Sequence, residues 1–250
     1  MKNELIVGFH SVNAAIWQNP ESVVEVYLNK TRKDERTDSL VEKAIAEKIK
    51  IVYVSEERLN KITPTKHQGV LAFIDKTIYK KHELTIKEII QKSSQNDTSI
   101  IVMLDAITDP HNFGAIIRSC ECFGVDAIVI PNSNSVGVNA TVAKTSSGAI
   151  EYIPIITVSN LNNAIKELKD NDYWIYGTTL NDGATSLYKT SMSAKMVWIL
   201  GGEGDGMGRL ITENCDFHVY IPMMGKTQSL NVSVATGSIL SFTNYKLNRK

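Results

Sequence analysis

The chain has 250 residues, 43% of them hydrophobic and 22% charged, with a formal net charge of zero. That is a globular composition long enough for one large domain or two modest ones, and it counts against a strongly electrostatic nucleic-acid binder, whose phosphate affinity needs surplus Lys and Arg, without excluding a local basic patch. No apolar run reaches the ~18 residues that span a bilayer, the N-terminus lacks a signal-peptide core, and neither the three cysteines nor the scattered histidines have metal-ligand spacing, so a cytoplasmic protein with no membrane or metal partner is expected.

The first 75 residues alternate between strand-like and helix-like signals. VVEVYLN (23 to 29) is rich in β-branched residues, and DSLVEKAIAEKI sets Leu40, Val41, Ala44, Ile45 and Ile49 on one helical stripe. KIVYVS reads as a strand, Ser55 as a helix cap and GVLAFID as a further strand. Residues 1–75 therefore form a small α/β domain, and 76–97 read as a linker carrying one short helix, IKEIIQKS. The basic clusters KTRKDER (30 to 36) and KTIYKK (76 to 81) suit either an RNA contact or solvated surface turns.

From residue 98 the pattern becomes strand, loop, helix. Strands are expected at 99–104, 126–131, 152–158, 173–179, 196–201 and 217–222, nearly all continuously apolar, with helical stretches between most of them. Such strands predict a parallel sheet covered on both faces, whose ligands bind beyond the carboxyl ends of the strands. Attention falls on the loops after 104, 179, 201 and 222.

In LDAITDPHNFGAIIRSCECFG, Pro110 interrupts the chain and Asn112 is expected to open a helix that carries Arg118 six residues on, two-thirds of a turn around. An Asn cap and an Arg tied to a surface carboxylate explain that spacing equally well. LGGEGDGMG places glycines at alternate positions from Gly202 to Gly208 around Glu203 and Asp205. The glycines permit close backbone approach to a ligand, but the dinucleotide fingerprint is absent and two carboxylates would repel a pyrophosphate. In IPMMGKTQSLNVSVATG the GKT suggests a P-loop, yet that motif needs Gly at position 220, which is Tyr220. What remains is a strand end, a turn and a helix opened by Ser229 or Asn231.

Three such loops at consecutive strand ends resemble the SpoU (TrmH-like) branch of the SPOUT RNA ribose 2′-O-methyltransferases. The matching residues are DPHNFGAIIRS, LGGEGDGM and IPMMGKTQSLNVSVATG, and IVGFHSVNAAI with HQGVLAFI is similar to the N-terminal substrate-binding domain of the subgroup that modifies a guanosine ribose in large-subunit rRNA. The resemblance implies a small ribosomal-protein-like α/β domain followed, over 98–250, by an α/β-knot domain with a trefoil knot. It also implies S-adenosyl-L-methionine as cofactor, a homodimer and an rRNA substrate. Carried over by position, Arg118 is the catalytic arginine, and Asn112, Glu203, Ser229 and Asn231 line the site around it. Gly201, Ile221 and Leu230 would contact the cofactor largely through backbone groups, with Thr178, Gly202 and Ser229 beside them. Two roles stay open for Arg118, since a guanidinium keeps its charge and is a poor base. It could act with a substrate phosphate that takes the proton, or stabilise a developing alkoxide. A tRNA-modifying enzyme and a non-catalytic RNA-binding or ribosome-assembly protein are the alternatives.

Overall fold

Strand and helix periodicities place the apolar side chains on faces that three separate cores bury. The computed structural model describes residues 3–248 except 33, 79–83, 182, 203 and 205. It divides into two units, Met1–His82 and Glu83–Lys250.

In the first unit the elements run β1 (Asn3–Val7), α1 (Phe9–Gln18), β2 (Val23–Asn29), α2 (Glu35–Ala46), β3 (Lys50–Val54), α3 (Glu56–Ile62) and β4 (Val70–Asp75). The strands form a four-stranded sheet in the order β1-β4-β2-β3, with β2 and β3 parallel and β4 antiparallel to both β1 and β2. Val12 and Ile16 of α1 and Leu40 and Ala44 of α2 share one core with Val26, Leu28, Val70 and Ala72 of the sheet. Two caps start the helices: Asp34 accepts from Thr37 N–H at α2, and Ser55 from Arg58 N–H at α3. The Ser55 cap is the one expected from sequence.

The second unit continues with α4 (Ile86–Ser93), β5 (Ser99–Asp105), α5 (Pro110–Cys122), β6 (Ala127–Pro131), α6 (Ala140–Thr145), β7 (Ile155–Val158), α7 (Leu161–Lys169) and β8 (Trp174–Thr178). It ends with β9 (Thr185–Ser186), β10 (Lys195–Gly201), α8 (Arg209–Glu213), β11 (Phe217–Tyr220) and α9 (Val232–Lys246). Seven strands pair in the order β7-β6-β5-β10-β8-β11-β9, and every pairing is parallel. Because side chains alternate across a strand, β10 feeds two cores. Met196, Trp198 and Leu200 join the α5 and α9 side, while Val197 and Ile199 join the α4 and α7 side. The Trp198 indole N–H donates to Thr243 Oγ1 of α9 at 3.1 Å, so this fully buried ring keeps its polar group satisfied.

Two local features differ from the sequence reading. The α5 helix opens at Pro110, not Asn112; Asp109 accepts from the backbone N–H groups of His111 and Asn112, and Pro110 takes the first helical position, where its missing N–H costs nothing. The short helix expected in the linker, α4, packs into the second unit. Its Ile86 and Ile89 are buried with Leu161, Ile165 and Leu168 of α7, and a Thr85–Glu88 capping box fixes its start.

Candidate active site

Parallel pairing brings the suspected residues together at one end of the sheet. Gly201 at the end of β10 is in register with Asp105 at the end of β5, and on its other side β10 pairs with β8, which ends at Thr178. β11 follows, with Thr178 in register with Val219, so the chain enters the third loop two residues further on at Ile221. Thr178 Oγ1 donates to the Ile199 carbonyl at 3.1 Å, which fixes its side chain against β10.

The glycine-rich turn closes on itself. Gly202 pairs with Gly206 in an isolated antiparallel bridge, and Gly206 N–H donates to Gly202 O at 3.2 Å. A side chain on Gly201 would meet Gly206 backbone at 2.1 Å, and one on Gly202 would meet Ala106 O at 2.4 Å. Neither position tolerates a Cβ, because backbone cannot yield as a flexible side chain can. Asp105 pins the far end of the turn by accepting from Gly208 N–H at 2.7 Å. Glu203 and Asp205 lie outside the described residues.

The third loop is open. Ile221 to Leu230 form no hydrogen bond with any described residue, and Met224 to Leu230 are all exposed. A run of unengaged amides and carbonyls, together with a glycine-rich turn, suits a ligand that is not strongly anionic and is read through the backbone. The loop ends at Asn231, whose Oδ1 accepts from Ser233 N–H at 2.9 Å and so caps α9. Of the two caps expected, Asn231 is the one used.

Helix packing joins this loop to the first motif. α5 and α9 lie side by side, with Gly237 facing Ser119 closely enough that an added Cβ would sit 3.7 Å from its hydroxyl. Across that seam Asn231 Nδ2 donates to Asn112 Oδ1 at 2.9 Å. Arg118 lies six residues along α5, about 9 Å by helical rise, and is exposed. Its Nη1 donates to Ser147 Oγ at 3.4 Å. The structure thus unites Asn112 with Asn231, and Thr178 with Gly201, Gly202 and Ile221, while Arg118 contacts the segment after α6. The sequence reading passed over Asp105 and Ser147. Asp105 carried a usable signal, an acidic residue closing a buried strand. Ser147 carried none, since its left-handed φ of 53° and its proximity to Arg118 arise only from folding.

The buried thiols of this unit are held in their unreactive, protonated form. Burial pushes the Cys215 thiol, packed under Gly177, up to about 12, and raises that of Cys120 still further. Among the described residues, no three His, Cys, Asp or Glu side chains gather as metal ligands, and no helix is long and apolar enough to cross a membrane.

The chain is similar to known proteins over most of its length. Residues 99–241 match the SpoU rRNA Methylase family model, and residues 5–80 match the RNA 2′-O ribose methyltransferase substrate binding model. The chain is 43% identical over 239 residues to the 23S rRNA (guanosine-2′-O-)-methyltransferase RlmB of Neisseria meningitidis serogroup B, covering 95% of this chain and 93% of that one. It is 37% identical to the RlmB of Nitrosomonas europaea, covering 95% and 90%. Among solved structures, the AdoMet-bound rRNA methyltransferase of Sinorhizobium meliloti superposes with a TM-score of 0.74 at 19% identity, covering 98% of this chain and 88% of that one.

Proposed function

Since this chain belongs to the SpoU rRNA methylase family, we infer that it transfers a methyl group to the ribose 2′-OH of a guanosine in 23S rRNA. It is an RNA 2′-O-ribose methyltransferase of the α/β-knot fold that uses S-adenosyl-L-methionine. The guanosine target rests on relatives that match nearly the whole chain, both units included.

The residues present fit that cofactor. Gly201 and Gly202 put no side chain at the end of β10, Thr178 is fixed against that strand, and Ile221, Ser229 and Leu230 offer unengaged backbone groups from an open loop. No cluster of Lys or Arg is needed, because the ligand carries a sulfonium and no phosphates. When bound, S-adenosyl-L-methionine supplies the methyl group. The single observation that carries the site is the Asn112–Asn231 hydrogen bond, which ties the arginine-bearing helix to the end of the open loop.

Alignment of the attacking hydroxyl supplies much of the acceleration in such an in-line displacement. Asn112 and Asn231 present amide groups that orient the ribose. The hydroxyl must shed its proton as it attacks, to solvent or to a phosphate of the RNA substrate, and Arg118, charged throughout, stabilises the alkoxide that develops. Ser147 restrains the guanidinium in the meantime. The family resemblance assigns Glu203 to the same site, although that residue lies outside the described residues.

The enzyme works as a homodimer in the cytoplasm. Supporting the dimer, α9 shows an exposed stripe of Val234, Ser238, Ser241 and Tyr245, spaced along one helical face and suited to close packing against a second helix. Light scattering that gives a monomer at micromolar concentration would overturn the dimer alone. The chemistry is tested by mapping 2′-O-methyl groups in rRNA from cells with and without this protein. One guanosine should lose its methyl group. An unchanged rRNA map with a lost tRNA methyl would move the substrate to tRNA.

A further inference from the structure

The first unit gathers three cationic or titratable side chains that have no role in the site described above. His10 lies in the first turn of α1, Arg36 in the first turn of α2 and Arg32 in the loop between β2 and α2. Arg32 is firmly placed. Its Nε bonds Asp34 at 2.7 Å, its Nη1 donates to the Gln68 carbonyl, and its guanidinium sits 5.3 Å from the centre of the Phe9 ring. Gly69, at φ +77°, keeps room for it; a Cβ there would lie 3.3 Å from the Arg32 side chain. The Phe9 ring in turn meets the His10 ring edge-on at 5.6 Å.

The side chains of His10 and Arg36 form no hydrogen bond or ion pair with any described residue. The His10 pKa is lowered by its partial burial and then by the charges of Arg36 and Arg32. The carboxylates on the elements around α1 give it no relief. Glu4 pairs with Lys76, Glu25 with Lys50 and Asp34 with Arg32, while Glu35, Asp38 and Glu42 of α2 do not shift it. Asp34 offsets part of the Arg32 charge, while Arg36 and the imidazole have no counter-charge among the described residues, an arrangement that an anion would relieve.

We propose that His10, Arg32 and Arg36 form a clamp for one RNA backbone phosphodiester, which anchors the substrate on the first unit. The proposal rests on the reading of the chain as an RNA methyltransferase and gives that RNA a defined point of attachment. Arg32, with two of its nitrogens engaged, presents its remaining Nη2 in a fixed direction. Arg36 stands in the first turn of α2, which packs against α1, and His10 donates a hydrogen bond once protonated. Because the phosphate favours the imidazolium, the complex takes up a proton. RNA affinity therefore rises as the pH falls through the His10 pKa of the complex, and levels off below that of the free protein.

The test is RNA affinity of the full-length protein for an unmethylated large-subunit rRNA transcript, with Arg36→Gln, His10→Gln and Arg58→Gln compared over a salt series and from about pH 8 to about pH 5.5. Arg58 is an exposed arginine of α3 and reports non-specific electrostatics. Arg36→Gln should weaken binding roughly tenfold and reduce the slope of log affinity against log salt by about one. His10→Gln should remove the gain in affinity at low pH. Losses with Arg58→Gln as large as those with Arg36→Gln, or a pH dependence that survives His10→Gln, would overturn the clamp. Uptake of S-adenosyl-L-methionine, followed by calorimetry in the same variants, should not change. Failure of the wild-type protein to bind the cofactor would refute the methyltransferase reading instead.

Discussion

Asn231 donates its side-chain amide to Asn112 across 119 positions of sequence, and the same side chain caps α9 with its other terminal atom. One residue thereby holds a helix start and a link between two motifs. The two duties are separable by chemistry. Asn231→Asp keeps the capping oxygen and loses the amide donor, so thermal stability should stay close to wild type while methyl transfer falls by at least tenfold. Asn231→Ala loses both, and its unfolding free energy should drop by about 1 kcal/mol as well. Equal activity of the Asp variant and wild type would remove the Asn–Asn bond from the catalytic account.

Among the described residues Arg118 bonds Ser147 and no residue of the cofactor loops, so its loss should spare cofactor binding. Arg118→Ala is expected to cut turnover by roughly 10²–10³ while calorimetry with S-adenosyl-L-methionine shows an unchanged affinity. Arg118→Lys keeps the charge but not the planar fork. Near-normal turnover in the Lys variant would assign the role to charge alone.

The glycine-rich turn gives a sharper contrast. Gly201→Ala drives a methyl group into Gly206 backbone, and cofactor binding should be abolished. Gly225→Ala enters open space at an ordinary backbone angle and should bind as wild type does. Comparable losses in both variants would mean that loop flexibility, and not the tight turn, shapes the cofactor site.

Asp105 fastens that turn through Gly208 N–H, a bond to a charged acceptor worth about 1.5–3 kcal/mol. Asp105→Ala should therefore weaken cofactor binding by tenfold or more. Asp105→Asn retains an acceptor and should recover most of the affinity, which a titration of the two variants would read directly.

Thiol chemistry offers an independent check on the fold. The thiolate is the reactive form, and burial holds Cys215 and Cys120 protonated at neutral pH, whereas Cys122 is exposed. A disulfide reagent should titrate one thiol rapidly in the native protein and all three after denaturation. Rapid reaction of a second thiol would show that the packing around Gly177 or within α5 is looser than described.

Much of this was legible in the residues. Continuous apolar runs such as SIIVML and MVWILG carried the parallel sheet, because strands buried on both faces have no polar alternation to hide. Tyr220, standing where a P-loop needs its first Gly, removed that motif on spacing alone. The Asn112–Asn231 bond was beyond reach, since it depends on how α5 crosses α9. So was the start of α5: Asp109 and Pro110 form a stronger opening than Asn112, a competition between caps that local pattern alone left unresolved. Glycine spacing located the turn after β10, but the strand register that brings Asp105 to it is a property of the folded sheet.

The docking of α4 onto α7 bears on how this enzyme can be dissected. A truncated version beginning at residue 98, where the sequence first suggests a catalytic domain, would discard Ile86 and Ile89 and expose the side of α7 that they cover. Each of those side chains stabilises the core by about 1.5–3 kcal/mol through burial. A fragment that starts ahead of Thr85 keeps both the capping box and the helix, and is the smallest version that preserves this part of the interior.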